Sequence, residues 1–347
     1  MSRERQKTRC PLMRLVTGFA VLMLTAWGLL ALWHQMLQPA FRMITLVLWA
    51  AAGLSMVVAS TGLPSRKSRN LTAMAFASAV ALLAVWWNTL KPSHHRLWAD
   101  DVTQLLEARV DGDYVQLKNV RNFEWRSETD YTPRWESRTY DLARLRSADL
   151  LLSYWMGPHI AHALVSFGFD DGEQVVFSLE IRKERHESFS AVGGFFRQFE
   201  QILVAADEGD IVRTRSNARG EQVYLYRLQM SQVKVRALFL EYVDVANELR
   251  RSPRFYNTLT SNCTTIVFEL ARLISPALPV DYRLMLSGYF AEYVYDLHGL
   301  VPDYSYAELQ ALGYINERAL ASDTSAANFS TSIRQGVPGV PANEVYP

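Results

Sequence analysis

Cys263 sits in a short polar motif, Asn262-Cys263-Thr264-Thr265, and is one of two cysteines in a chain of 347 residues. Apolar residues follow it at Ile266, Val267, Leu270, Leu273 and Ile274. That spacing predicts a helix with one buried face. Ser261 or Asn262 can cap it, accepting a hydrogen bond from a free N–H of the first turn. The thiol then lies in that turn, where unpaired N–H groups and the helix dipole favour negative charge. The thiolate is the nucleophilic form of cysteine, and helix N-termini lower its pKa. Residue type and place suit covalent catalysis; a small buried apolar filler is the alternative.

A catalytic thiol needs a base, and the base needs a third group to orient it. His162 is the best-placed base, within the apolar run Ile160–Phe169 ahead of the turn Asp170-Asp171-Gly172. His159 follows Gly157-Pro158 in a loop, three residues from His162. On a strand that spacing points the two to opposite faces, against an H-x-x-H metal site. No metal and no other cofactor is expected. His94-His95 reads as interfacial or solvated. The return strand offers Ser178 and Glu180. A turn at Asp170–Gly172 sets Glu180 opposite His162 on one face, and a one-residue slip would reverse this. Glu180 is the candidate third member; a salt bridge to Arg182 or Lys183 is its alternative.

Stretches of sheet and helix must bring these residues together across about 100 positions. Tyr114–Ser127, Gln201–Ala206 and Glu221–Met230 read as strands, and Ile160–Lys183 as a hairpin. Tyr140–Trp155 reads as a short helix running into a strand, and His94–Leu106 as a short amphipathic linker or helix. Ser231–Arg251 reads as a helix ended by Pro253, and Ser322–Pro341 as loose polar chain. The mixture predicts an α+β domain.

The first part of the chain is different. Up to Leu90 there are nine Lys and Arg against one acid, Glu4. Three apolar runs, Leu15–Trp33, Met43–Ser60 and Leu71–Leu90, each approach the length of about 20 residues that a spanning helix needs. Trp33, Trp86 and Trp87 sit at run ends, where indole favours the interface. The basic segments before the first run and at Ser65–Arg69 belong in the cytoplasm. Three spans then deliver Lys91 to the far side, which in a Gram-negative cell is the periplasm. Cys10, on the cytoplasmic side, is no disulfide partner for Cys263. The expected organisation is a membrane anchor over 1–91, linker and edge elements over 92–130, a thiol domain over 131–320, and a loose tail over 321–347.

The run "GPHIAHALVSFGFDDGEQVVFSLEIRKE", followed about 100 residues later by "FYNTLTSNCTT", resembles the Lnb N-terminal periplasmic domain family over roughly Tyr131 to Ser275. The order of a strand histidine and then Asn-Cys opening a helix is also similar to circularly permuted papain-like (NlpC-type) proteins. Lecithin:retinol acyltransferase relatives share that order. The resemblance implies a papain-like fold and a Cys–His thiol enzyme, with Cys263 as nucleophile, His162 as base and Glu180 as third member. The N–H of Cys263 with Asn262 would hold the oxyanion, with Tyr256 and His159 as site support. Characterised family members are lipoprotein N-acyltransferases, which move an acyl chain from phospholipid to the amine of a lipoprotein's N-terminal cysteine. In those proteins membrane helices follow the domain; here three runs precede it. The expected function is therefore a membrane-anchored thiol acyltransferase or hydrolase of the cell envelope. Its expected partners are a phospholipid acyl donor, a lipoprotein or other amine acceptor and the inner membrane, with no nucleic acid. A cell-wall peptide amidase or peptidase, or a non-enzymatic scaffold or sensor, are the alternatives.

Overall fold

A computed structural model describes residues 2–322 and 326–341. The chain forms two compact units, one of Met1–Ser93 with Ser190–Gln198, the other of His94–Phe189 with Phe199–Pro347.

The first unit holds three long helices, α1 (Ser2–Gln35), α2 (Pro39–Thr61) and α3 (Arg66–Thr89). Their apolar stretches of 24, 23 and 24 residues have mean hydropathies of 2.1, 2.0 and 1.6, long and apolar enough to span a bilayer. Pro39 opens α2 and Gly62, at φ 82°, ends it; Ser65 caps α3. Gly28 lets α1 approach α2, since a methyl group there would lie 2.5 Å from the Trp49 indole. The short helix α4 (Ala191–Phe195) also belongs to this unit. Beside it the Phe196 ring stacks 5.7 Å from His34, and the Arg197 guanidinium lies 4.6 Å from the Trp87 ring.

The second unit is built on an eight-stranded sheet. Its strands are β1 (Glu107–Asp111), β2 (Tyr114–Arg121), β5 (Trp135–Asp141), β6 (Leu145–Tyr154), β7 (Ala161–Phe169), β8 (Gln174–Arg182), β9 (Glu200–Ala206) and β10 (Gln222–Arg227). A small separate pair is made by β3 (Glu124–Trp125) and β4 (Tyr131–Thr132). The order is β1-β2-β9-β8-β7-β6-β10, with β5 also on β2. All pairings are antiparallel except β2 with β9. The helices of this unit are α5 (Glu208–Arg213), α6 (Gln232–Arg251), α7 (Cys263–Ile274), α8 (Phe290–Asp296), α9 (Tyr306–Gly313), α10 (Asn316–Ala321) and α11 (Ala326–Arg334).

Two apolar clusters explain why the central strands are continuous apolar runs rather than alternating ones. In one, Phe167 and Phe177 of β7 and β8 pack with Phe239 and Tyr242 of α6 and Val267, Phe268 and Leu270 of α7. In the other, Leu164 and Val176 pack with Ile211 and Val212 of α5 and Phe329 and Ile333 of α11. Strands covered on both faces have no polar side to show. The fold is α+β behind three N-terminal apolar helices, as expected.

Two stretches differ from expectation, Tyr140–Trp155 and the tail. Tyr140–Trp155 contains no helix: β5 and β6 are joined by a tight turn in which Asp141 Oδ1 accepts from the Ala143 N–H at 2.9 Å, a local bond that competes with helix. Of the two readings of His94–Leu106, linker or helix, the structure has a linker with a single helical turn, Asp100–Val102, and Trp98 pairs with Glu184. β2 takes up most of the stretch Tyr114–Ser127 that reads as a strand, and β1 flanks it at one end of the main sheet. The stretch expected to be a loose tail carries α11, with Phe329, Ile333 and Val337 buried. Its last residue, Arg334, pairs with the buried Asp149 and Glu208 at 2.9 and 2.6 Å. The anchor of that helix is a charge, which an apolar periodicity does not reveal. The rest of that tail, 323–325 and 342–347, lies outside the described residues.

Candidate active site

The hairpin register decides which residues meet. β7 and β8 pair from Val165↔Phe177 to Gly168↔Gln174, the register that places Glu180 on the His162 side. His162, second in β7, is 8% exposed. Its Nε2 lies 2.7 Å from Ser178 Oγ and 3.2 Å from Glu180 Oε1. Ser178 donates to the same Glu180 oxygen at 2.7 Å. A hydroxyl has one hydrogen, and Ser178 gives it to a carboxylate. Its oxygen must therefore accept from His162, so Nε2 carries the proton and Nδ1 is left for the thiol.

Cys263 is the first residue of α7, which packs on β7 and β8. The local sequence fixes this start. Asn262 Oδ1 accepts from the N–H groups of Thr264 and Thr265 at 3.0 and 2.9 Å. Thr265 Oγ1 accepts from the Asn262 N–H at 2.8 Å, completing a capping box. Asn257 tightens the preceding turn, its Oδ1 accepting from Leu259 and Thr260. The chain before it is stitched to β9: the Tyr256 N–H donates to Phe199 O and the Gln201 N–H to Arg254 O, both at 2.8 Å. On the other side, Ser287 Oγ accepts from the Ala161 N–H at 2.9 Å, and the Gly288 N–H donates to His159 O at 3.0 Å. A methyl group on Gly288 would lie 2.1 Å from Pro158 O, so this close approach needs glycine.

Thiol and imidazole stand close enough for each to act on the other's ionisation. Burial alone would raise the Cys263 pKa. The His162 charge and hydrogen bond, the Ala163 backbone N–H and Thr264 outweigh it and bring the pKa below the ordinary thiol value. Burial and the Arg215 charge push His162 down, but Glu180 and the thiolate outweigh them and lift it to about 9. Burial opposes ionisation of Glu180, yet His162 and Arg215 hold it well below the usual carboxylate range. These directions each favour the charged form: thiolate, imidazolium and carboxylate.

Cys263, His162 and Glu180 thus stand together. Tyr256 is close enough that, after burial, the charges of Cys263 and Glu180 raise its pKa. Two expected residues have other duties. The Asn262 amide oxygen caps the helix and one Nδ2 hydrogen donates to Thr258 O at 2.8 Å, so the residue also fixes the position of the thiol. The Cys263 N–H is a further donor, with no partner among the described residues. His159 is exposed and its Nδ1 lies 2.6 Å from the Tyr289 hydroxyl; no contact with the thiol is recorded among the described residues. Among those residues no group of three or more His, Cys, Asp or Glu side chains could hold a metal.

Sequence reasoning missed Arg215. Its Nη2 donates to Glu180 Oε1 at 2.7 Å and its Nη1 to Glu221 Oε2 at 3.4 Å. It lies on a five-residue π-helical turn, Thr214–Ala218, for which sequence carries no simple signal.

Residues 131–288 match the family model of the Lnb N-terminal periplasmic domain. The matched segment contains the strand histidine, the carboxylate and the thiol. No curated protein and no solved structure matches the chain.

Proposed function

We propose that this protein, held in the inner membrane by its three spans with its C-terminal domain in the periplasm, is a Cys–His–Glu thiol acyltransferase or hydrolase of the cell envelope. One observation carries the reading. A buried thiol at a helix N-terminus stands beside, and is electrostatically paired with, an imidazole whose Nε2 is held by Ser178 and Glu180. A thiol that only fills space needs no such partner.

In this reading the Cys263 thiolate attacks the carbonyl carbon of an ester-linked acyl chain. The C–S bond forms and the carbonyl electron pair moves to oxygen. The Cys263 N–H would hold that oxyanion, with Tyr256, which feels the Cys263 charge, as support. Collapse breaks the ester C–O bond, and the leaving oxygen takes the proton of the His162 imidazolium. The product is a thioester on Cys263. An amine then attacks the thioester carbon, neutral His162 accepts its proton, and the thiolate leaves. Water in place of the amine gives hydrolysis. The spans place the chain beside phospholipid, a source of such esters, and a lipoprotein amine is the acceptor we favour.

Purified full-length protein incubated with phospholipid vesicles tests this. The expected result is an acyl mass increase confined to the Cys263 peptide, absent in Cys263→Ala and discharged by an amine-bearing peptide. A thiol acylated by wall peptide and never by lipid would move the reading to an amidase. No adduct with either would overturn it.

A further inference from the structure

We propose that Arg215 is a positioning residue for the Cys263–His162 pair: by holding Glu180 through the oxygen that faces the imidazole, it lets the carboxylate orient the ring without fixing it as imidazolium. This rests on the thiol-enzyme reading above and adds how its base is kept able to give up a proton.

The placement of Arg215 is specific. Its side chain is 8% exposed, and a buried guanidinium requires paired charge. It bridges two carboxylates on either side of the histidine strand. Glu180 belongs to β8. Glu221 precedes β10 and accepts a short hydrogen bond from Ser153 of β6, the cross-strand partner of His162. The turn that carries Arg215 is itself fastened: Asn217 Nδ2 donates to Ala319 O at 3.0 Å, and Asn316 Nδ2 to Glu221 O at 2.7 Å. A π turn widens the helix by one residue and is frequent at functional sites. Here it projects one cation between Glu180 and Glu221.

The charges around His162 can be counted. Glu180 faces it from β8, Arg215 from the π turn and Cys263 from α7, with Tyr256 from the loop before α7. Glu221 pairs with Arg215 and, at 3.6 Å, with the half-buried Arg219. Arg121 of β2 feels Glu180 at longer range but is bound to Asp210 through two hydrogen bonds. Glu180 and Glu221 are thus balanced by Arg215 and Arg219, and the thiolate by the imidazolium. Without Arg215 a net negative charge would remain beside the ring. Glu180 alone would then hold the imidazolium's proton more tightly, in opposition to its role as acid toward the leaving group. Arg215 acts against this, since after burial it is the largest influence lowering the His162 pKa.

The test follows the rate at which iodoacetamide modifies Cys263 in the full-length protein, resolved by peptide mass, from about pH 5 to about pH 11. A thiolate paired with imidazolium reacts at one rate and a thiolate beside neutral imidazole at another, so the upper inflection reports His162. In the parent protein it is expected near 9. Arg215→Gln should move it up by about one unit, the size of one nearby charge in a partly screened interior. Arg215→Lys, which keeps the charge, should leave it in place. Should Arg215→Gln fail to fold, the pair Arg215→Gln with Glu221→Gln removes the stranded carboxylate and should show a smaller upward move, since Glu180 still loses its cation. An unmoved inflection in a folded variant, judged by its circular dichroism, overturns the proposal and leaves Arg215 a structural ion pair. The readout needs no substrate, so failure of the acyl adduct on Cys263 would overturn the enzyme reading while leaving this result intact.

Discussion

Ser178 links a carboxylate to an imidazole with a single hydrogen. It donates to Glu180 and accepts from His162 Nε2, so it fixes the tautomer that leaves Nδ1 for the thiol. Hydrogen bonds to charged groups are worth about 1.5–3 kcal/mol. Ser178→Ala is therefore expected to lower turnover about ten- to a hundredfold, with the KM for lipid unchanged. His162→Ala removes both base and counter-charge and should cost at least about 10²–10⁴, and Cys263→Ala should abolish acyl transfer. His159→Ala should stay near parent activity, because its ring is held by Tyr289 at the surface. The pH dependence follows from the same groups. Activity should rise as the thiol loses its proton, below the ordinary thiol range, and fall as His162 deprotonates near 9. Stability follows with signs set by direction. The raised His162 pKa gives stabilisation that is complete below the ordinary histidine value of about 6.5 and lost as pH rises through about 9. The depressed Glu180 pKa gives stabilisation present above the ordinary carboxylate range and lost as pH falls through its lowered value.

At the scale of elements, what could be read in advance had a short-range cause. The spacing after Cys263 marks α7, and the turn at Asp170–Gly172 sets a hairpin register that a single residue would have reversed. Those two elements carry Cys263, His162 and Glu180, so the core of the candidate site was legible. Arg215 was not, because a π turn has no periodicity of its own and its partners, Glu180 and Glu221, lie 35 and 6 residues away. The Asn262 cap was legible as a cap; that its amide also donates to Thr258 O was not, since this depends on the turn before it. Asn262→Ala is expected to cost about 1 kcal/mol and to raise the lower inflection of Cys263 alkylation as the first turn loosens. Asn262→Asp retains the acceptor and should lose less on both measures. Thermal melting and the alkylation profile read the two effects separately, and an unchanged profile in Asn262→Ala would mean the helix start is held by the stitched loop alone.

At the scale of the molecule, the three apolar helices were plain from length and hydropathy, while the far end of the chain was misjudged. Ser322–Pro341 looks polar and uncommitted, yet α11 covers the sheet face opposite α6 and α7 through Phe329 and Ile333. Its side-chain partners lie up to 185 residues back in the chain. Glu208 is fully buried and receives both Arg334 Nη groups, at 2.6 and 2.7 Å, with Ser166 Oγ at 2.5 Å as its other donor. Asp149 has Arg227 as well as Arg334. Removing Arg334 therefore strands Glu208 more than Asp149. Breaking one side of a buried pair costs about 3–5 kcal/mol, because the remaining charge stays out of water. Arg334→Met is expected to destabilise the domain by about that amount, read as a lowered midpoint in denaturant with a native-like slope. Arg334→Met combined with Glu208→Gln should recover a large part of the loss, since the stranded group is then neutral and can still hydrogen-bond Ser166. If the double variant is no more stable than the single one, the loss lies in the packing of α11 itself; if the single variant melts like the parent, α11 is dispensable to the fold.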